Sequence, residues 1–400
     1  MSSPIGLGHA WRDVAIAREL RRQVPGLQVE WLAQPPLVTL LEACGETVHP
    51  ASRELAPEAK HVDAESGEHE LHAFDMIRRM DEILCANFMV FHDVVSQEKF
   101  DVWIGDEAWE VDHFLHENPE LKTSPYVWMS DFVGYMPMAE GGEREARLVA
   151  DYNAEVIEHV ERNPGLRDIS IFIGDPADVV PERFGPGLPL IREWTDKHFE
   201  FSGYVLPFDP AERGDKRALR SSLGIDPDKR LIVGSVGGSA VGIHLLRRIA
   251  EAFRIVRERD PKVEMLLVCG PRIDPRDIEP VEGMEVAGYV HDLSRTLASA
   301  DLAVVQAGLS TTMELIAARR PFIHIPLRKH FEQNWHVAFR LQRYGAPPST
   351  YYDEATPSVL AAQMLERIDS KVSYQAVESG GAARAAGLIA SVLKVGAARA

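Results

Sequence analysis

Four hundred residues with 45% hydrophobic content and a formal net charge of −18 suffice for two packed domains. That charge argues against non-specific nucleic-acid binding and against whole-surface adhesion to an anionic membrane, while leaving room for peripheral membrane contact through a local patch. Cys44, Cys85 and Cys269 lack metal or redox spacing, which points to a reducing cytoplasm. No stretch is long and apolar enough to span a bilayer, and Met1-Ser-Ser-Pro has neither the basic start nor the apolar core of a signal peptide.

The chain opens on a glycine-rich turn, Ser3 to His9, and a predicted helix runs from about Ala10 to Val24 with Ile16, Ala17, Leu20 and Val24 on one face. Such a turn normally follows a buried strand. Either Ser2 to Ile5 serve as a stub, or a central strand lies upstream; an intact mass of natively expressed protein equal to the 400-residue chain would refute the second expectation. Spacing then predicts a strand at 28–33, a helix at 37–44 closed by Gly45, a short strand at 47–48, polar loop over 51–70 and helix over 71–96. Strands follow at 102–105, ending on Asp106-Glu107, and at 126–129, ending on Ser130-Asp131. A helix near 143–162, a strand at 169–173 and the segment 199–204 complete a first domain, residues 1–205. Pro207, Asp209 and Pro210 mark a linker at 206–214.

The alternation restarts in a second domain, 215–378. A strand at 231–236 leads into Gly237, Gly238 and Ser239, then a helix to about residue 259 and a strand at 265–269. Gly288-Tyr-Val290 precedes a short helix. The run Leu302–Val305 ends at Gln306-Ala-Gly308; helical spacing puts Met313, Ile316 and Ala317 on one face, and Pro321 stops that helix. Phe322–Ile325 is a further strand. Helices are predicted at 360–368 and 382–394, the latter within a C-terminal segment, 379–400. Strands alternating with helices imply parallel sheets covered on both faces, an α/β class with two Rossmann-like domains and a central cleft. Ligands of such sheets sit at the carboxyl ends of strands. There Gly308, Ser310, Thr311 and Thr312 open a helix whose free N–H groups suit a phosphate, half of a site for a nucleoside diphosphate.

The pattern resembles the two-domain GT-B fold of nucleotide-sugar-dependent glycosyltransferases, the family of UDP-glucosyltransferases, antibiotic glycosyltransferases and the enzyme adding N-acetylglucosamine to lipid-linked peptidoglycan precursors. The motifs that carry the resemblance lie in Gly6–Asp13, with its Gly-x-Gly-His, and in Gly288–Asn334, with its Gly-x-x-Thr-x-x-Glu and Glu-Gln. It implies a donor site in the second domain. Gly308, Ser310 and Thr311 match the pyrophosphate loop, Glu314 the carboxylate on the ribose, Glu332 and Gln333 the pair on the sugar hydroxyls, and Val290 a base-contacting position. Gly237, Gly238 and Ser239 resemble the loop facing the phosphates from another strand. Two departures stand out: Gln306 and His336 replace a histidine and an asparagine common in relatives. A glutamine carries no charge, and Arg272, Arg328 or Lys329 are the candidates to compensate.

Transfer of a sugar requires stabilising the departing diphosphate and removing a proton from the acceptor hydroxyl. No Asp-x-Asp motif and no metal-ligand spacing is visible, so the loops are expected to do the electrostatic work, with no metal and no cofactor. His9 matches the catalytic histidine of inverting relatives and Asp106 its partner aspartate; Asp13, one turn from His9, competes for that role. The implied partners are a UDP- or dTDP-sugar donor and a small-molecule or lipid acceptor. Two other readings share the donor site: a UDP-N-acetylglucosamine 2-epimerase-like enzyme and a non-catalytic nucleotide-sugar binder. Trp103, Trp109, Trp128 and the aromatic residues of 71–96 read chiefly as core.

Overall fold

A computed structural model describes residues 1–238 and 240–399, with side chains to Lys394. The chain divides into two compact units, one of Met1–His61, Ala73–Pro207 and Glu378–Ala400, the other of Val62–His72 and Phe208–Val377. The expected division at 206–214 is one of the crossings. Two more were not anticipated: an eleven-residue strap, 62–72, belongs to the second unit, and the C-terminal helix to the first.

The first unit holds a parallel sheet of four strands in sequence order, β3 (Trp103–Asp106), β4 (Tyr126–Ser130), β5 (Ile169–Phe172) and β6 (Glu200–Phe201), and a separate parallel pair, β1 (Glu30–Trp31) with β2 (Thr47–Val48). The buried run Tyr-Val-Trp-Met-Ser of β4 shows no polar alternation, as expected of a strand covered on both faces. The first helix, Leu7–Gln23, lays Ile16 and Leu20 on Val127, Met129 and Ile171, and the C-terminal helix Gly381–Arg399 adds Ala385, Ala386 and Ile389 to the same core. Beside β3 the chain start behaves as a stub: Ser2 pairs in parallel with Asp106, and the Met1 ammonium donates to the Ile104 carbonyl at 2.6 Å. Trp31, Trp103, Ile104 and Met129 contribute to an apolar cavity of about 170 Å³ there.

Two expectations for this unit need correction. The 51–70 stretch is not all loop: it contains a 3₁₀ turn, Pro50–Glu54, and a helix, Glu58–Ala64. The predicted strand at 28–33 shortens to Glu30–Trp31, the part bonded to β2. The tryptophans pack as core: Trp109 meets the fully buried Trp128 edge-on at 4.9 Å.

The second unit is a five-stranded parallel sheet in the order β11 (Phe322–Ile325), β10 (Leu302–Gln306), β7 (Arg230–Ser235), β8 (Val263–Val268), β9 (Met284–Ala287). Strand β9 was not anticipated: its residues are only partly buried at the sheet edge, so the apolar signal is weak. The order departs from sequence at β7, flanked by β10 and β8, a topological switch point that leaves a crevice at the carboxyl ends. Leu245, Ile249, Phe253 and Val256 of the helix Ile243–Arg259 join Leu302, Val304, Ile323 and Ile325 in one core.

Candidate active site

In the first unit the polar residues at the β3 and β4 carboxyl ends converge on the start of the first helix. Gly6 caps this helix without a side-chain bond, and His9 and Arg12, three residues apart, project from the same side. His9 Nδ1 lies 2.9 Å from Asp106 Oδ2, and Asp106 is fully buried. Arg12, 3% exposed, spans the same carboxylate: its Nε donates to Asp106 Oδ2 at 3.0 Å and one terminal nitrogen to Oδ1. The other terminal nitrogen pairs with Asp131. Glu107, in the left-handed region at φ 48°, accepts from Asp131 N and from Ser130 Oγ, both at 3.1 Å, and its second oxygen lies 3.9 Å from His9 Nε2. A positive φ at a non-glycine residue is uncommon and gathers at functional positions.

These charges set the protonation pattern. Burial and the Arg12 charge push His9 down, Asp106 and Glu107 push it up, and the balance is a pKa raised to about 9. Burial would raise Asp106, but Arg12 and His9 hold it well below the usual carboxylate range. Burial and the Asp131 charge push Glu107 up to about 7. Asp13 is not the partner of His9: burial and the charge of Asp106 push its carboxyl far above the usual range, and its Oδ1 has no hydrogen-bond partner. Neither Arg12 nor Glu107 was singled out from the sequence. The nearest signal was the Asp-Glu pair ending β3.

In the second unit, strand β10 ends at Gln306, and Gly308 caps the helix Leu309–Ala317 without a side-chain bond. A Cβ at Gly308 would meet nothing within 4 Å, so the glycine leaves open space over the first-turn N–H groups. Ser310 and Thr311 are partly exposed there. Thr312 is turned away from the loop: it is fully buried and donates to the Gly308 carbonyl at 2.9 Å. The buried Gln306 Oε1 has no partner, a vacancy uncommon for a buried amide. Glu314 is partly buried, and burial and the charge of Asp292, opposed by Arg213, push it up to about 8. Val290 lies in the loop between β9 and the helix Leu293–Ala298. Gly237 has φ 83°, where a side chain would be strained; Gly238 follows it, and Ser239 lies outside the described residues.

The Glu332-Gln333 pair is only partly available. Gln333 is 6% exposed and its Oε1 accepts from Leu327 N at 2.9 Å, closing the loop after β11, while Glu332 opens a π-helical turn, Glu332–Val337. The amide oxygen expected on a sugar hydroxyl is therefore spent on the backbone. The cations expected to offset Gln306 are also engaged, all three by the strap or by Asp353. Arg272 pairs with Asp63, Lys329 Nζ donates to Glu70 at 2.6 Å, and Arg328 donates to Asp353 at 3.0 Å and to the Glu68 carbonyl at 2.7 Å. Asp63 also accepts from Ala240 N at 3.2 Å. A carboxylate thus holds both a cation and a backbone N–H beside the Gly237-Gly238 loop, as a phosphate would.

Sequence spacing hid one set of potential metal ligands. His113, Glu155 and His159, from the helices Trp109–Glu117 and Gly142–Arg162, bring ligand atoms within 4.8 Å of one another. At His9 itself, Arg12 is the cation that Asp106 pairs with.

With both sheets and their loops in view, the architecture is that of the GT-B glycosyltransferases. The calicheamicin glycosyltransferase CalG4 superposes with a TM-score of 0.58 at 16% identity, covering 98% of this chain and 96% of that one. The peptidoglycan enzyme MurG of Acinetobacter baumannii superposes with a TM-score of 0.50 at 16% identity, over 97% and 96% of the two chains. More narrowly, residues 232–391 match the glycosyltransferase family 28 C-terminal domain. An uncharacterised glycosyltransferase of Methanopyrus kandleri is 25% identical over 50% of this chain and 56% of its own. The UDP-N-acetylglucosamine--N-acetylmuramyl-(pentapeptide) pyrophosphoryl-undecaprenol N-acetylglucosamine transferase of Methylorubrum extorquens is 30% identical over 41% of this chain and 46% of its own. The chain spans about half the length of these relatives. No helix among the described residues is long and apolar enough to cross a membrane.

Proposed function

We propose that this protein transfers a hexose from a UDP- or dTDP-sugar to an acceptor hydroxyl, with inversion and without a metal. The observation that carries the reading is the contact of His9 Nδ1 with Asp106 at 2.9 Å, on a chain bearing a family 28 donor domain. A carboxylate on Nδ1 selects the tautomer whose Nε2 lone pair can take a proton. His9 is the base, Asp106 its orienting partner, and inversion follows from direct attack of the deprotonated hydroxyl on the anomeric carbon as the diphosphate leaves.

In the donor unit, Gly308, Ser310 and Thr311 receive the diphosphate on the first turn of the helix Leu309–Ala317, and Gly237, Gly238 and Ser239 approach it from β7. Gln306, its amide otherwise unsatisfied, contributes a neutral hydrogen bond. Glu314 takes the ribose hydroxyls, Val290 borders the base, and Glu332 reads the sugar. The acceptor is a small molecule or a lipid, the latter in keeping with the undecaprenol-linked acceptor in the name of one relative.

The test is a panel of UDP- and dTDP-sugars scored by retained ligand in native mass spectrometry, with UDP release measured for the wild type and for His9→Ala. Donor retention with UDP release lost in His9→Ala is expected. Unchanged release would make the protein a binder or hydrolase independent of His9, and epimer formation from UDP-N-acetylglucosamine alone would replace transfer by epimerisation.

A further inference from the structure

The charge on His9 is governed by a residue that the proposed reaction does not by itself require. Arg12 NH2 lies 2.8 Å from His9 Nδ1, while Asp106 Oδ2 lies 2.9 Å from the same atom. The guanidinium is fixed in that position from two sides, by both oxygens of Asp106 and by Asp131. An arginine held in a fork by two buried carboxylates has little freedom to withdraw.

Resting on the reading of His9 as the base, we propose that Arg12 is a positioning residue that loosens the proton on His9 by sharing its Nδ1 and its aspartate. The geometry distinguishes the protonation states. In one neutral tautomer Nδ1–H donates to Asp106; in the other Nδ1 accepts from Arg12. Both satisfy Nδ1. The imidazolium instead places a second cation against the guanidinium, and its preferred acceptor is already saturated by that guanidinium. Asp106 alone, next to Glu107, would hold His9 protonated more tightly, and a protonated imidazole cannot accept the acceptor's proton. Arg12 therefore offsets two carboxylates that would otherwise disable the base.

The charged groups around His9 are few and all are accounted for. Arg12 and Asp13 come from its own helix, Asp106 and Glu107 from the end of β3, and Asp131, acting through Arg12, from the end of β4. Asp13 is pushed toward its neutral form. Arg12 is the cation among them, and its charge lowers the His9 pKa while Asp106 and Glu107 raise it.

The experiment is an NMR titration of the full chain labelled with ¹⁵N and ¹³C histidine, with the His9 resonances among the 15 histidines identified from their loss in His9→Gln. In Arg12→Gln the His9 midpoint is expected to move up by about one pH unit or more, the usual effect of losing a charge within hydrogen-bonding distance. Arg12→Lys keeps the charge but not the fork, and should move it up by less. A folded Arg12→Gln or Arg12→Lys protein whose midpoint stays or falls overturns the assignment; should Arg12→Gln not fold, the Arg12→Lys titration decides. Loss of stability with an unmoved midpoint would mean a purely structural arginine. The titration needs neither donor nor acceptor. If the midpoint moves as expected while His9→Ala retains full transfer, the reading of His9 as base fails and the role of Arg12 toward His9 stands.

Discussion

The loop ends of the two units solve opposite electrostatic problems. In the first, five ionisable side chains, His9, Arg12, Asp106, Glu107 and Asp131, crowd the carboxyl ends of β3 and β4 behind little or no exposed surface. In the second, the ends of β7 and β10 carry glycines, hydroxyls and one amide, and the nearby cations are neutralised by the strap. Buried charges that shift one another's pKa are suited to moving a proton. Neutral loops at a helix start are suited to holding a polyanion through backbone N–H groups without releasing or taking up protons. The same parallel-sheet architecture therefore serves both tasks, and what differs is which residue types stand at the strand ends.

The sharpest way to break this contrast is to remove the proton acceptor. His9→Ala is expected to lower kcat by about 10²- to 10⁴-fold, the usual contribution of general-base catalysis, while UDP retention in native mass spectrometry is unchanged. Asp106→Asn should lower kcat by a comparable factor, since it leaves Arg12 and His9 without their shared anion. A loss of UDP binding in either variant would erase the division of labour.

The donor side is tested next. Gly308→Val meets no clash from its own Cβ and adopts an ordinary φ of −72°, so Tm should hold. UDP affinity should fall by about tenfold or more, because a branched side chain stands over the N–H groups. Asp63→Asn should act in the opposite direction. It frees Arg272 and the Ala240 N–H from a competing carboxylate, and titration calorimetry should show UDP binding tightened several-fold, about 1 kcal/mol. Gln306→His should also tighten UDP, by a smaller factor that grows as the imidazole becomes charged below pH about 6.5; weaker binding would count against the diphosphate lying at Gln306.

The smallest effect concerns stability and pH. His9 holds its proton more tightly folded than unfolded, so its contribution is complete below pH 6.5 and is lost as pH rises through about 9. Glu58, pushed up from 4.5 to about 8 by burial and the charge of Glu110, loses its contribution over a lower range in the same direction. In the second unit, burial pushes His69, His324 and His330 from 6.5 down to about 4. Their contribution is present above 6.5 and is lost as pH falls toward 4. Alkali should therefore loosen the first unit and acid the second. Six of the seven tryptophans, all but Trp335, lie in the first unit. Thermal melts followed by tryptophan fluorescence should thus fall in midpoint between pH 6.5 and 9, and calorimetry should register the acid-side loss more than fluorescence does. Coincident losses by both probes at both extremes would remove the distinction.

Much of the molecule was legible from local pattern. Apolar runs ending in glycine or acidic residues marked β3, β4, β7, β8, β10 and β11, because strands buried on both faces leave continuous hydrophobic stretches. The helix after Gly308 was legible because Arg319 and Pro321 end it, Arg319 taking φ 54°. His9 and Asp106 were named from motifs 97 residues apart and come together at 2.9 Å. The strap was not legible. Its polar composition reads as loop, and its partners, such as Ala240 and Lys329, lie 177 and 259 residues away in the chain. Gln333 was assigned to a ligand because nothing local reveals that the Leu327 N–H would claim its oxygen.

What the chain determines by itself is the repertoire of elements and the residue types at their ends, since hydrophobic period, proline and glycine act over a few residues. What only the tertiary structure decides is which of those residues are spent on one another. Arg12 reads in sequence as an ordinary helix arginine; three carboxylates from two strand ends make it a buried cation pressed against His9. Electrostatic pairing depends on distance through space and on the exclusion of water, and neither is written in the spacing of residues along the chain.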